Sequence, residues 1–282
     1  KLTIYKSMIF TAKSAEFLRW AEEKEKNIPH NIDGIIVNIH DINNVKISEI
    51  AKIKETINKC NSCIYSSKIA LKSNTNLLKF VESVGMRTYD RNNIESNEIS
   101  TITPLENNKI NYIPYTDKSL NWHTDGYYDK KSIFSWLLHC VHPATHGGEN
   151  YLLDHELALR EYVLRYDDIN NLMSEDALTI PESKDTSRSE ISTYIFSIKN
   201  QYKKLHMRFS MRKDNIGTSP KAGHAVTKLK EIIENDCAKY SLTYKLQKNE
   251  GIITNNILHG RKAFKDDKVK RKLLRIRSYE RL

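Results

Sequence analysis

Apolar positions along this chain recur with two periods, and the changes between them mark its elements. Leu2 to Phe10 is a short apolar run that predicts a peripheral strand, after which Phe17, Leu18 and Ala21 stand at helical spacing. Asp33-Gly34 leads into Ile35-Ile36-Val37-Asn38-Ile39, a β-branched run that predicts a buried strand. Ile50, Ile53, Ile57 and Cys60 then recur every three or four residues, which predicts a helix capped by Ser48. A strand about Cys63 to Tyr65 completes a strand-helix-strand unit, and Thr75 to Val84 predicts a short helix ended by Gly85.

From Arg87 to Ser119 the pattern is polar, irregular and rich in Asn, which predicts loops and edge strands. Ser132 to Val141 is a strongly apolar strand ending before Pro143, and Gly147-Gly148 turns the chain into a strand through Leu153. Asp154 caps a helix carrying Leu157, Ala158, Tyr162 and Leu164. Residues 165 to 200 read as an insertion. Leu205 to Met211 predicts a strand with His206, Arg208 and Ser210 on one face, and a helix bearing Val226, Leu229, Ile232, Ile233 and Cys237 follows. Gly251 to Leu258 and Lys272 to Ser278 are the last two predicted strands.

Composition changes this picture little. At 282 residues the chain can bury a core without disulfides. The net charge of +10 fits an anionic partner, but the chain is crowded with Lys, Asn and Ile throughout, so the charge is weak evidence for nucleic acid. Cys60 and Cys63 have the spacing of half a zinc site, yet the other two cysteines, Cys140 and Cys237, form no second pair. No apolar run is long enough to span a bilayer, and no secretory pattern opens the visible sequence, so a cytoplasmic protein without a membrane partner is expected.

The chemistry concentrates in Asn121-Trp122-His123-Thr124-Asp125-Gly126-Tyr127-Tyr128. In an extended segment side chains two apart share a face, so His123 and Asp125 can converge on one ion. Far downstream, His259 stands beside a turn-forming glycine in Asn256-Ile257-Leu258-His259-Gly260-Arg261. Two histidines and one carboxylate are the set that holds non-haem Fe(II) while leaving other coordination positions open. His139, His142, His146 and His155 have no tight metal spacing, and His139 lies in an apolar strand as a core histidine would. Many short strands around a histidine-carboxylate centre, with helices early and in insertions, predict an α+β fold with a double-stranded β-helix (jelly-roll) core. One domain is expected over 1–282, with an N-terminal α/β elaboration over 1–110 and a jelly-roll over 111–282 that contains a helical insertion at 154–250.

Tyr112-Ile113-Pro114-Tyr115, Leu120 to Asp125, Gly147-Gly148-Glu149-Asn150, His259-Gly260-Arg261 and Arg271-Lys272-Leu273-Leu274-Arg275, in that order, make the chain resemble the taurine dioxygenase family of Fe(II)- and 2-oxoglutarate-dependent oxygenases. The resemblance implies that His123, Asp125 and His259 bind the iron. It implies that Arg271 pairs with the distal carboxylate of 2-oxoglutarate and that Arg275 lies nearer the metal-bound carboxylate and the substrate. On a regular strand Arg271, Leu273, Arg275 and Arg277 would share a face. The family carries Thr shortly after its Gly-Gly pair where this chain has Asn150, whose amide can donate the same hydrogen bond. Related halogenating oxygenases have Gly or Ala in place of Asp125, so hydroxylation or desaturation is favoured over halogenation.

The resulting expectation is a dioxygenase that uses Fe(II), 2-oxoglutarate and O2 to oxidise a small polar molecule, anionic or zwitterionic, releasing succinate and CO2. Arg275, Tyr115, Asn121, Arg208 and Arg212 are candidate substrate contacts, with Tyr112, Tyr127 and Tyr128 as aromatic cover; each also has a structural reading. Homo-oligomerisation is left open. The alternative from another class is a non-catalytic jelly-roll binding protein with a basic nucleic-acid-binding face, whose salt-sensitive binding would survive loss of His123 and Asp125.

Overall fold

A computed structural model describes residues 14–91, 97–105, 113–183, 188–199, 204–212 and 216–282. The strand expected at Leu2–Phe10 and the candidate Tyr112 lie outside the described residues. The helices are α1 (Ala15–Lys26), α2 (Ile47–Cys60), α3 (Asn74–Val84), α4 (His155–Arg165) and α5 (Pro220–Glu231). The main strands are β1 (Ile36–Asp41), β2 (Ser62–Ile69), β3 (Ser100–Ile102), β4 (Leu120–His123), β5 (Ser135–His142), β6 (Asn150–Leu153), β7 (Leu242–Tyr244), β8 (Glu250–Thr254), β9 (Leu258–Arg261) and β10 (Lys272–Ser278). They form a six-stranded sheet in the order β1-β2-β8-β5-β10-β3 and a four-stranded sheet in the order β7-β6-β9-β4. Two compact units divide the chain: one of Lys1–Ile28, Asn121–Lys130 and Leu153–Ser241, the other of Pro29–Leu120, Lys131–Leu152 and Leu242–Leu282.

In the second unit the expected strand-helix-strand is present, with β1 and β2 parallel and α2 as the crossover, while β8, β5, β10 and β3 extend the sheet antiparallel. The two-residue period then sorts the large sheet's side chains into two cores. Tyr65, Leu137, Ile253, Leu274 and Ile276 pack with Ile53 and Ile57 of α2 and Phe80 and Val81 of α3. Ile64, Trp136, Cys140, Ile252 and Leu273 pack on the other side with Leu152, Leu246 and Ile257. A sheet buried on both faces, with helices over one and a second sheet over the other, is the jelly-roll core the strand pattern predicts.

Three local expectations are corrected. Ser48 is not the cap of α2: the helix starts at Ile47 after Lys46, whose backbone N–H donates to Glu49 Oε2 at 2.9 Å. Gly251 to Leu258 is two strands rather than one, because Asn256 adopts φ 50° and turns the chain between β8 and β9. His259 therefore lies inside a strand. Finally, β10 begins at Lys272, so Arg271 lies just outside the strand that carries Leu273, Arg275 and Arg277, and the register shifts between Lys272 and Leu273, where Val141 is the extra residue on β5.

In the first unit α4 is almost wholly buried and begins at Asp154, whose carboxylate accepts from the Glu156 N–H at 2.9 Å. Lys24 of α1 reaches the Asp154 and Glu156 carboxylates at 2.5 and 2.7 Å, and Arg160 donates to Glu161, Glu25 and the Ala21 carbonyl. Pairing of this kind offsets the cost of burying these charges. The region expected as a helical insertion holds α4 and α5 and also short strands at Leu178–Ile180, Ile191–Thr193, Phe196–Lys199 and Lys204–Met207. Among the described residues no helix is long and apolar enough to cross a membrane.

Candidate active site

His123 ends β4, and the backbone around it is held by a second segment. Met211 N–H donates to Trp122 O at 2.8 Å and Thr124 N–H to Phe209 O at 3.0 Å, while Phe209 N–H returns a bond to Thr124 Oγ1 at 3.1 Å. This short ladder is what the expected strand at Leu205–Met211 supplies, although the regular strand stops at Met207 and both of its faces are buried. Asp125 follows in the turn at Gly126, which takes φ 62°, and His123 Nε2 lies 3.6 Å from Asp125 Oδ1.

His259 sits in β9 with its imidazole 4.4 Å, centroid to centroid, from the Trp136 indole. Both histidines use Nδ1 in the same way. His123 Nδ1 lies 2.9 Å from Asn121 O, and His259 Nδ1 lies 2.9 Å from Ile257 O, each the carbonyl two residues back. A carbonyl can only accept, so each Nδ1 carries a proton, and in the neutral ring this tautomer leaves the Nε2 lone pair for a metal. His123, Asp125 and His259 each offer a ligand atom, and these atoms lie within 4.8 Å of one another. Two neutral imidazoles and one buried carboxylate fit a divalent non-haem iron by donor chemistry.

Arg271 is 4% exposed, and among the described residues its guanidinium makes no hydrogen bond; its backbone N–H donates to Asp266 Oδ2 at 2.8 Å. The guanidinium lies over the Phe264 ring, 5.1 Å from its centroid, and burial holds its pKa down to about 10. Asn150 is also buried, and its Nδ2 has no hydrogen-bond partner among the described residues. Unused buried donors of this kind are costly unless a ligand meets them. The glycine turn before Asn150 keeps space here: Gly148 takes φ 78°, and a Cβ on it would stand 3.2 Å from Phe264 Cβ and 3.7 Å from Arg271 Nε.

The remaining candidates separate by environment. Arg275 is buried opposite Leu138 and Ser100, whereas Arg277 is committed to a buried ion pair with Asp90. Tyr115 packs in the core with Trp136 and Ile102. Asn121 is exposed and contributes its carbonyl to His123. Arg208 is buried and donates to Lys130 O at 3.2 Å, with its pKa lowered by desolvation, while Arg212 is exposed. Tyr127 and Tyr128 meet edge to face at 5.0 Å. His139 is a core histidine bound to the Tyr65 hydroxyl at 2.9 Å.

Sequence reading assigned no role to Arg261, Tyr151 or Phe264. Arg261 donates to the carbonyls of Pro114, Thr116 and Lys118, and its guanidinium lies 4.8 Å from the Phe264 centroid, on the ring that Arg271 also covers. Burial lowers its pKa to about 9, helped by the neighbouring Arg271. The available signal was its place directly after His259-Gly260.

Residues 38–277 match the family described as Taurine catabolism dioxygenase TauD, TfdA family. No curated protein sequence matches the chain. Among solved structures, an asparagine oxygenase in complex with Fe(II), 2S,3S-3-hydroxyasparagine and succinate is similar with a TM-score of 0.63 and 12% identity, over 98% of this chain and 88% of that one. A taurine dioxygenase from Burkholderia xenovorans gives 0.60 and 16%, over 86% and 87%. The non-heme iron oxygenase OrfP in complex with Fe, succinate and (3S)-hydroxy-L-Arg gives 0.60 and 11%, over 81% and 82%. At these identities the structural likeness is one of fold.

Proposed function

The chain belongs to the taurine catabolism dioxygenase TauD, TfdA family, and from that premise we propose that it is an Fe(II)- and 2-oxoglutarate-dependent dioxygenase whose iron is held by His123, Asp125 and His259. The observation that carries this reading is the donor set, two Nε2 lone pairs fixed by carbonyl-bound Nδ1 protons beside a buried carboxylate. Bound iron, with 2-oxoglutarate and O2, supplies oxidation of a substrate C–H bond with release of succinate and CO2. The chain's own residues hold and orient. The Trp136 indole packs against the His259 imidazole, and Asp125 would offset part of the charge of a bound metal.

Arg271 and Asn150 are proposed to take the distal carboxylate of 2-oxoglutarate. The unused guanidinium and the orphan Nδ2 support this, since an anion satisfies both. Arg275 is assigned nearer the metal-bound carboxylate and the substrate. We propose that 1–282 works as one catalytic domain; the family match over 38–277 includes residues of both compact units, which supports it.

The substrate is proposed to be a small zwitterion of the amino-acid class, hydroxylated or desaturated. Two structures similar to this chain hold hydroxylated amino acids, which favours this class. The test is O2-dependent succinate formation from 2-oxoglutarate across a panel of amino acids, sulfonates and betaines. Amino acids should stimulate turnover where sulfonates and betaines do not, and His123→Ala should abolish it. Uniform, substrate-independent turnover would overturn the substrate class, and turnover undiminished in His123→Ala would overturn the metal assignment.

A further inference from the structure

The run His259-Gly260-Arg261 does more than deliver one histidine. Every second carbonyl from Pro114 to Leu120 is bound by a group on or beside it. Arg261 Nη1 donates to Pro114 O at 3.4 Å, and Nη2 donates to Thr116 O at 2.9 Å and Lys118 O at 2.5 Å. The Tyr151 hydroxyl donates to Leu120 O at 2.5 Å. Gly260 makes room for that tyrosine, because a Cβ there would stand 2.2 Å from the Tyr151 ring. The next carbonyl, Asn121 O, accepts from His123 Nδ1.

We propose that Arg261 and Tyr151 are positioning residues for the metal centre: they fix the segment 114–120 that leads into β4 and thereby set where His123 presents Nε2. The proposal rests on the reading of His123, Asp125 and His259 as metal ligands. Its physical basis is that a guanidinium fork with several donors can hold three carbonyls in one arrangement, where a lysine ammonium is a single point charge on a flexible stem. Arg261 is 5% exposed, so few water molecules are available to replace it. An ordinary structural clamp would influence folding alone; a positioning clamp also sets ligand geometry, and groups that orient ligands typically contribute about 10- to 100-fold in metal affinity.

Anaerobic Co(II) titration of the purified apo-protein, read by the visible d–d bands, separates these roles. Tyr151→Phe keeps the ring beside Gly260 and removes the hydroxyl, with its bond to Leu120 O and the one it accepts from the Arg261 backbone; Arg261→Lys keeps charge and removes the fork. Both should weaken Co(II) binding by about tenfold or more and change the visible bands, at a temperature where melting curves show each apo variant folded. Gly260→Ala should act in the same direction as Tyr151→Phe. Folded variants with the wild-type Co(II) affinity and spectrum would overturn the proposal, as would a loss of affinity that only tracks the fraction melted. If Arg261→Lys does not fold, Tyr151→Phe decides alone. A wild-type protein that binds no Co(II) would instead overturn the metal reading itself.

Discussion

A buried guanidinium without a hydrogen bond is an unusual thing for a protein to keep, and among the described residues Arg271 keeps one beside Phe264. Its free energy falls when a carboxylate arrives, so its contribution should appear in cosubstrate binding. Arg271→Gln is expected to raise the KM for 2-oxoglutarate by about 10- to 100-fold, the range for losing hydrogen bonds to a charged group. Asn150→Ala should raise it less, and Asn150→Thr should restore most of the loss, since a hydroxyl can donate in place of Nδ2. Steady-state kinetics with 2-oxoglutarate as the varied substrate checks both; an unchanged KM in Arg271→Gln would remove the anchor. At this scale His123 and Asp125 were legible because a two-residue offset on extended backbone is a local property. Arg261 was not, because its role depends on carbonyls about 145 residues earlier in the chain that no local pattern announces.

Elements show where periodicity suffices and where it fails. The β1-α2-β2 unit follows from β-branched runs flanking a three-to-four repeat, and α3 from its apolar spacing and Gly85, which takes φ 122°. The bulge at Lys272-Leu273 and the turn at Asn256 were missed because a register shift leaves the apolar pattern on either side intact. The link between α1 and α4 is likewise ionic rather than apolar, so hydrophobic spacing does not reveal it. Lys24→Ala would leave Asp154 and Glu156 buried without their cation, a change that costs about 3–5 kcal/mol. Chemical denaturation should show that loss, and a loss below about 1 kcal/mol would mean water replaces the ammonium.

For the whole molecule, the jelly-roll was legible because strand alternation places one set of side chains against the helices and the other against the second sheet. The same burial makes stability depend on pH through His139, whose imidazole is pushed down to about 4 by desolvation. An unfolded histidine titrates near 6.5, so between about 6.5 and 4 the unfolded chain binds a proton that the folded chain does not. This contribution is therefore fully present above pH 6.5 and is lost as pH falls through that window. At pH 5 the loss amounts to roughly 2 kcal/mol. Denaturation at pH 7.5 and pH 5 should show wild type losing more stability on acidification than His139→Phe; equal losses would assign the effect to other groups.

The iron and 2-oxoglutarate chemistry is tested most directly by an anaerobic absorption spectrum of the protein with Fe(II), before and after 2-oxoglutarate is added. A visible metal-to-ligand charge-transfer band should appear on addition, be absent from His123→Ala, and require a higher 2-oxoglutarate concentration in Arg271→Gln. A folded wild-type protein that develops no band, or a band unchanged by His123→Ala, would contradict the assignment of His123, Asp125 and His259 as the iron site.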